Sequence, residues 1–300
     1  MPDCNIAMPH STLPIDIVIP VYRGEPETRL CLESVISASV QCPAEIIVID
    51  DASPEPAISA WLKELQSKGD IRLIVHAENR GFVATANEGM NLHPERDVVL
   101  LNSDTEVAPG WLDRLCAHAD NDTRVATVTP FSNNATICSY PNWLEKNALP
   151  EDETTASLDA VCAKANAGMS ADIPTAVGFC MYIARRCINR VGNFDEARYG
   201  AGYGEEVDFC LRASRADFVH RLAADVFVRH VGEVSFGNSG MDRRAQAQVT
   251  VDTLYPEFQE RLRSFIPADP LRELRERIDK ARQRPWRRIR RWLTGRWRFV

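Results

Sequence analysis

The first 130 residues alternate between short apolar runs and amphipathic segments. Four runs rich in β-branched residues lie at 16–21, 45–50, 71–76 and 98–101. Such continuous runs are typical of strands buried on both faces of a sheet. Segments with helical spacing follow at 28–36, 57–68, 81–92 and 109–116, and a further strand is expected at 125–128. This alternation predicts an α/β fold built on a mostly parallel sheet.

The pattern becomes less regular after residue 130. Residues 132–174 predict loops with one short helix, and further strands are expected at 177–184, 218–222 and 226–231. Helical spacing returns at 205–214 and at 241–266. Pro267 and Pro270 then predict a hinge before a basic terminal helix.

Composition narrows the class of protein. An apolar fraction of 45% and a charged fraction of 26% over 300 residues are ordinary for a globular chain with a sizeable core. No apolar run reaches the roughly 18 residues of a transmembrane helix, and the first residues lack the pattern of a secretory signal. Nine cysteines at irregular spacing, none in a C-x-x-C pair, indicate a reducing compartment and no zinc site. We therefore expect a cytoplasmic protein.

Charge is distributed unevenly along the chain. The net charge is −7, yet residues 280–300 contain nine Lys and Arg and no acid. The rest of the chain is therefore acidic. This excludes general nucleic-acid binding, so no nucleic-acid partner is expected. In the basic segment 281–300, Trp286, Trp292 and Trp297 lie among arginines, which favours binding to an anionic membrane surface. A solvated basic end and a nucleic-acid-binding tail are the alternatives.

Polar residues follow the predicted strands where each strand ends. Asp50 and Asp51 end the second strand, Asn79 follows the third, and Asn102 and Asp104 close the fourth. Ligands of parallel sheets bind beyond the carboxyl ends of the strands, so these side chains should converge on one crevice. A carboxylate there suits Mg²⁺ or Mn²⁺ together with diphosphate oxygens and water.

A second acidic group lies behind a glycine-rich turn at 200–204. Glu205, Glu206 and Asp208 open a predicted helix, and His230 follows a later apolar run. Acids also favour a first helical turn because of the helix dipole, and a lone histidine after an apolar run is often structural. Together with the acids at the strand ends, however, they suggest a metal that holds phosphate and a carboxylate that takes a proton. That pairing suits group transfer from a nucleotide diphosphate.

The order and spacing of five motifs resemble those of a known family. The motifs are Ile-Pro-Val-Tyr at 19–22, Ile-Asp-Asp-Ala-Ser at 49–53, Asn-Arg-Gly-Phe at 79–82, Leu-Asn-Ser-Asp-Thr-Glu at 101–106 and Gly-Tyr-Gly-Glu-Glu-Val-Asp-Phe-Cys-Leu-Arg at 202–212. From about residue 16 to residue 237 the chain resembles a family 2 glycosyltransferase with the GT-A fold, and it is similar to bacterial O-antigen and rhamnosyl-type transferases.

The resemblance implies a role for each matching residue. Glu206 matches the catalytic base, with Glu205 as its partner and Asp208 positioning the helix or the acceptor. Asp104 and His230 are implied as ligands of a divalent cation, Mg²⁺ or Mn²⁺. Asn102 stands where the family often has Asp, and a neutral amide binds a cation more weakly. The implied nucleotide-sugar pocket consists of Pro20, Tyr22, Glu25, Asp50, Asp51, Asn79, Arg80, Gly81, Asn102 and Ser103.

The resemblance also implies the domain organisation and the reaction. A GT-A domain at 14–266 would comprise a nucleotide-sugar-binding half at about 14–130 and an acceptor-binding, catalytic half at about 131–240, followed by a basic amphipathic tail at 267–300. The expected enzyme is an inverting hexosyl- or rhamnosyl-type transferase of bacterial surface polysaccharide or cell-wall synthesis. It would use a UDP-, dTDP- or GDP-sugar and a glycan or lipid-linked acceptor at the inner face of the cytoplasmic membrane.

Two other classes of protein share parts of this pattern. A nucleotidyltransferase that makes activated sugars usually carries a glycine-rich, basic loop after its first strand, and residues 21–26 do not form one. A non-catalytic relative that binds sugar or a partner enzyme would be favoured by loss of Asp104 or of the acids at 205–208, and all of these are present.

Overall fold

The computed structural model describes residues 13–149, 152–200, 202–232 and 240–282. Within these ranges the strands are β1 (Ile15–Val21), β2 (Ala44–Asp50), β3 (Arg72–Val75), β4 (Val98–Leu101), β5 (Thr105–Glu106), β6 (Val125–Phe131), β7 (Ser170–Ile173), β8 (Cys180–Ile183), β9 (Val219–Phe227) and β10 (Arg229–His230). The helices in the same ranges are α1 (Glu25–Ser37), α2 (Pro56–Lys68), α3 (Phe82–Met90), α4 (Trp111–Asp120), α5 (Thr155–Ala165), α6 (Arg185–Val191), α7 (Glu196–Tyr199), α8 (Glu205–Arg215), α9 (Gly240–Leu254), α10 (Pro256–Ala268) and α11 (Arg272–Arg282).

An eight-stranded sheet forms the centre of the molecule, in the order β3-β2-β1-β4-β8-β6-β9-β7. Strands β1 to β4 run parallel to one another, and β6 is parallel to β9. Strand β8 runs antiparallel to β4 and β6, and β7 runs antiparallel to β9. The predicted α/β fold with a mostly parallel sheet is confirmed, and β8 joins its two parallel groups.

Both faces of the sheet are covered by helices. Ile17 and Ile19 of β1 pack into an apolar cluster with α1, α2 and α4, whereas Val18 between them packs into the cluster that contains α3. Side chains alternate across a strand, so a strand buried on both faces must be apolar at every position. This burial explains the continuous apolar runs in the sequence.

Three regions differ from the sequence-based prediction. The region expected to hold loops and one short helix contains α5 and also the edge strand β7. Strand β9 is continuous over nine residues where two short strands were expected. The long helix expected at 241–266 is interrupted after Leu254, because Pro256 lacks a backbone N–H and begins α10 instead.

The end of the described chain also differs from the predicted division at residue 267. Pro267 lies inside α10, and α11 packs against α5. Leu271, Leu274 and Ile278 are all buried in the main core cluster. Helical spacing of these three apolar residues attaches α11 to the folded body, despite the many charges around them. Residues 283–300, the larger part of the predicted tail, lie outside the described residues. Among the described helices, none is both long enough and apolar enough to cross a bilayer.

Candidate active site

The carboxyl ends of β1, β2, β3 and β4 meet at one edge of the sheet, where the loops that follow them line a cavity of about 1050 Å³. Other parts of the wall come from residues 134–136 after β6, residues 177–179 before β8, the start of α8 with the turn before it, the chain around His230, and helix α9. The cavity lies where the strand-end rule predicted a crevice.

Most of the predicted site residues line this cavity. They are Pro20, Tyr22, Asp51, Asn79, Arg80, Gly81, Asn102, Ser103, Asp104, Glu205, Glu206 and His230. The structure thus brings together side chains from both predicted halves of the domain. Glu25, Asp50 and Asp208 are not part of the cavity wall.

Two of these three residues stabilise the local fold beside the cavity. The buried Asp50 carboxylate accepts hydrogen bonds from the backbone N–H of Ser53 and the hydroxyl of Ser59, so it holds the turn between β2 and α2. Glu25 pairs with Arg29 one turn further along α1, at 2.8 Å. The nucleotide-binding role expected for Asp50 and Glu25 therefore does not match their positions.

Asp208 is buried in the first turn of α8 and is not part of the cavity wall. Its carboxylate accepts a hydrogen bond of 2.6 Å from the Tyr255 hydroxyl and one of 2.8 Å from the guanidinium of Arg212. The bond from Tyr255 connects α8 to the junction of α9 and α10, whereas Arg212 lies one turn further along α8 itself. These contacts hold helix α8 in place, and Asp208 does not line the cavity in which a catalytic group would lie.

The loop after β3 is held by Asp51. One carboxylate oxygen accepts from the backbone N–H of Arg80 at 2.8 Å, and the other accepts from that of Gly81 at 2.9 Å. The carbonyl oxygen of Asp51 accepts from the amide of Asn79 at 3.3 Å. The Asp51 carboxylate is therefore already engaged by protein donors, and its contribution to the cavity is the shape of the Asn79–Gly81 loop.

Asp104 and His230 face each other across a two-stranded ribbon. Strand β10 pairs antiparallel with β5, and the Nε2 atom of His230 lies 3.4 Å from Oδ1 of Asp104. The other carboxylate oxygen of Asp104 accepts from the backbone N–H of Gly232 at 2.8 Å. Burial opposes ionisation of Asp104, but hydrogen bonds and charge from His230, with the Gly232 amide, bring its pKa below the usual value.

The donor atoms of this pair fit a divalent cation. The Nδ1 atom of His230 lies 2.8 Å from the carbonyl oxygen of Asn134, which can only accept, so Nδ1 carries the proton. Nε2 is then left either to bind a second proton or to offer its lone pair to a cation shared with Oδ1 of Asp104. One imidazole nitrogen and one carboxylate oxygen suit Mn²⁺ or Mg²⁺, whose other positions are filled by substrate oxygens and water. The neutral side chain of Asn102 adds no charge to this site.

A tight turn presents the acidic pair to the cavity. Gly204 precedes α8 with φ of +91°, and a Cβ atom at this position would lie 3.0 Å from the Tyr199 ring and 3.1 Å from Ala247. Only glycine combines this backbone conformation with such a close approach. Helix α8 therefore begins directly against α9, with Glu205 and Glu206 in its first turn.

Both glutamates are held in a poorly solvated environment. Glu205 is buried, Glu206 is half-buried, and one carboxylate oxygen of each is buried without a hydrogen-bond partner. Burial and the neighbouring charge of Glu206 raise the pKa of Glu205 well above its usual value. Burial also raises the pKa of Glu206, although backbone N–H groups at the start of α8 and the charge of Arg244 counteract this effect. A carboxylate with a raised pKa is suited to accept a proton near neutral pH.

Several cavity residues were missed by the sequence analysis. Phe179 stacks on the ring of His230 with a centroid distance of 5.2 Å. Helix α9 contributes Arg243 and Arg244, and the Arg244 guanidinium lies 4.8 Å from the centroid of the Tyr203 ring. A pair of adjacent arginines was visible in the sequence, but hydrophobic spacing does not indicate that their helix closes the site.

A separate acidic cluster lies at the opposite edge of the sheet. Asp16, Glu45 and His93 have ligand atoms close enough to hold a metal ion. A guanidinium nitrogen of Arg96 already occupies this position, at 3.1 Å from Asp16 and 2.6 Å from Glu45. The cluster is thus an ion-pair network at the amino ends of β1 and β2, remote from the cavity.

The chain is similar to glycosyltransferases in sequence and in structure. Hyaluronan synthase of Pasteurella multocida is 25% identical over 283 residues, which are 87% of this chain and 29% of that protein. The pre-mycofactocin glycosyltransferase of Mycobacterium tuberculosis is 28% identical over 219 residues, which are 72% of this chain and 42% of the relative. The chain thus spans less than half the length of either relative.

Among solved structures, GalNAc-T7 with UDP, GalNAc and Mn²⁺ superimposes with a TM-score of 0.59 at 15% identity, over 91% of this chain and 55% of that one. This likeness establishes the GT-A fold. The family model of Glycosyl transferase family 2 matches residues 16–172 of this chain. These residues cover strands β1 to β7 and the loops that carry Asp51, Asn79 and Asp104. The chain therefore belongs to glycosyltransferase family 2.

Proposed function

We propose that the protein is an inverting glycosyltransferase that moves a sugar from a nucleotide-diphosphate sugar to a hydroxyl group of a glycan or lipid-linked acceptor. The observation that carries this proposal is the shared cavity of Asp104, His230 and Glu206. Asp104 and His230, the proposed cation ligands, and the unpartnered carboxylate oxygen of Glu206 would then face the same bound donor. Displacement at an anomeric carbon requires this arrangement.

Each side chain has a defined task in this reaction. Glu206 accepts the proton of the acceptor hydroxyl, whose oxygen forms a bond to the anomeric carbon while the bond to the diphosphate oxygen breaks. Attack from the face opposite the leaving group inverts the configuration. Asp104 and His230 would hold Mg²⁺ or Mn²⁺, which neutralises charge on the departing nucleotide diphosphate when bound.

The Asn79–Gly81 loop is the proposed site of the nucleobase, beside Pro20 and Tyr22 in the cavity wall. UDP-sugars are the first candidates, because GalNAc-T7 has a similar fold and its structure contains UDP and GalNAc. dTDP- and GDP-sugars remain within the proposal. The sugar is proposed to be a hexose or a rhamnose-type deoxyhexose.

We further propose a place in bacterial surface polysaccharide or cell-wall synthesis, at the inner face of the cytoplasmic membrane. Support comes from the similarity to hyaluronan synthase, and from the arginine- and tryptophan-rich residues 281–300. A lipid-linked acceptor would be reached most directly by an enzyme docked on an anionic membrane surface.

A thermal-shift screen tests the donor class. UDP, dTDP, GDP and their sugars would be added with and without Mn²⁺, and a ligand that binds only the folded protein raises the melting temperature. We expect one nucleotide family to give a shift that depends on the ion. If no nucleotide raises the melting temperature under either condition, the proposal is wrong.

A further inference from the structure

His76 lies behind the Asn79–Gly81 loop and touches two acids at once. Its Nδ1 atom is 2.7 Å from Oδ1 of Asp51, and its Nε2 atom is 3.0 Å from Oε2 of Glu88. Only 7% of the His76 side chain is exposed, and the residue is not part of the cavity wall. His76 is therefore buried between two carboxylates one layer behind the cavity.

The two hydrogen bonds require two donors on one imidazole ring. An ionised carboxylate can only accept, so each ring nitrogen of His76 must donate. A neutral imidazole carries one N–H and satisfies one of the two acids. The observed geometry thus matches an imidazolium ion between two anions.

Both acids act on the same residue at the cavity edge. Asp51 accepts from the backbone N–H of Arg80, and Glu88 pairs with the guanidinium of Arg80. Since His76 connects Asp51 to Glu88, it fixes the main chain and the side chain of Arg80 together. Acidic and basic groups alternate along this series of four side chains, and its outer end, Arg80, lines the cavity.

We propose that His76 is a positioning residue for nucleotide binding: as an imidazolium it holds Asp51 and Glu88, and through them it fixes the Arg80 loop for the donor nucleotide. This inference rests on the proposed function, which puts the nucleotide against that loop. His76 itself touches neither the nucleotide nor the reacting atoms.

Replacement of His76 by glutamine tests the role, because the side-chain amide donates on one side and presents an oxygen to the other acid. Calorimetry with UDP, dTDP and GDP in the presence of Mn²⁺ identifies the nucleotide that the wild type binds. For that nucleotide we expect the dissociation constant of His76→Gln to rise about tenfold or more, the scale of one charge-assisted hydrogen bond. Glu88→Gln keeps the shape of the side chain but removes its charge, and it should also weaken nucleotide binding. It serves as the test if His76→Gln does not fold.

His118→Gln is the matched control. His118 is another buried histidine on a carboxylate, 2.8 Å from Asp225, and it is remote from the cavity. We expect this variant to lower the melting temperature and to leave nucleotide affinity within about twofold of the wild type. A purely structural His76 would behave in the same way, and unchanged affinity in His76→Gln would overturn the proposal.

The protonation state is tested separately by ¹⁵N NMR of the histidine rings. We expect two protonated nitrogens for His76 at neutral pH, and a singly protonated ring would also overturn the proposal. Failure of the proposed function has a different signature, in which no nucleotide binds the wild-type protein. If a nucleotide binds the wild type and both variants with equal affinity, only the role proposed for His76 is wrong.

Discussion

The Nε2 atom of His230 lies 3.4 Å from Oδ1 of Asp104 because strands β5 and β10 pair directly beside the two residues. In this ribbon His230 is opposite Thr105, and the backbone N–H of Val231 donates to the carbonyl oxygen of Asp104 at 3.0 Å. The two side chains are thus held together by main-chain hydrogen bonds on both sides. In the proposed role as cation ligands, such support would keep the two atoms together before a cation or a substrate arrives.

Replacement of Asp104 by alanine tests this pair. The variant loses the anionic ligand and leaves His230 alone, so we expect nucleotide binding to lose its dependence on Mn²⁺. Calorimetric titrations with Mn²⁺ and with EDTA measure the effect. Glu45→Gln, in the ion-pair network at the opposite edge of the sheet, should retain the difference between the two conditions. Equal behaviour of Asp104→Ala and the wild type would exclude Asp104 as a cation ligand.

Replacement of Glu206 by glutamine removes the proposed base while preserving its size. General-base assistance contributes roughly 10²–10⁴ in rate, and we expect the transfer rate to fall by about that factor. Nucleotide affinity should change little, because the proton is taken from the acceptor. Glu196→Gln, an exposed acid in α7, is the matched control and should retain full activity.

The pH dependence of transfer provides a second measurement on Glu206. Its raised pKa means that a larger fraction is protonated at mildly acidic pH than for an ordinary glutamate. As the pH is lowered, the wild-type transfer rate should therefore begin to fall at a higher pH than the pKa of an ordinary glutamate predicts. Full transfer activity in Glu206→Gln would instead assign proton removal to another group.

Glu205 gives a prediction about stability. Its pKa is raised in the folded protein, so the folded state binds a proton more tightly than the unfolded state does. The resulting stabilisation is complete below the unfolded pKa of about 4.3 and is lost as pH rises through the folded pKa. Glu205→Gln imitates the protonated form at every pH. We expect its melting temperature to exceed that of the wild type by an amount that grows from pH 5 to pH 8, and a constant difference would contradict the assignment.

The sequence predicted the edge of the sheet on which the site lies. Asp51, Asn79 and Asp104 follow apolar runs, and a parallel sheet brings such positions together without knowledge of any contact. The same rule could not tell Asp50 from Asp51, because adjacent residues at a strand end point to opposite sides. Asp50 points into the turn before α2, and Asp51 points toward the loop after β3.

The acids of α8 show a second limit of prediction from sequence. Spacing put Glu205 and Asp208 on one face of the helix, but which face meets the cavity depends on how α9 and α10 pack. The Tyr255 hydroxyl donates a hydrogen bond to the buried carboxylate of Asp208, whereas Glu206 lines the cavity. Tertiary contacts of this kind have no local signature in the chain.

Gly89 tests how closely α3 approaches the sheet. A Cβ atom at this position would lie 2.3 Å from Cγ1 of Val18 in β1. We expect Gly89→Ala to lower the free energy of unfolding by about 1–3 kcal/mol, the usual cost of overpacking. Truncation of the opposing side chain should recover part of that loss, so Gly89→Ala with Val18→Ala should be less destabilised than the sum of the single variants. Denaturant titration measures all three, and strict additivity would show that the helix moves away instead.

Two truncations separate the role of helix α11 from that of the basic segment beyond it. A chain ending at residue 282 keeps Leu274 and Ile278 in the core, so its melting temperature should match that of the full chain. It lacks most of the arginine and tryptophan residues of 281–300, and we expect it to lose flotation with phosphatidylglycerol vesicles. Neither chain should float with phosphatidylcholine vesicles.

A chain ending at residue 271 removes α11 as well and should unfold at a lower temperature, because burial of each Leu or Ile side chain contributes about 1.5–3 kcal/mol. Flotation is then scored only for the chain ending at residue 282, which keeps the fold. Equal recovery of that chain and the full chain on anionic vesicles would show that residues 283–300 do not bind membranes. Loss of flotation without loss of stability would instead locate membrane binding in residues 283–300.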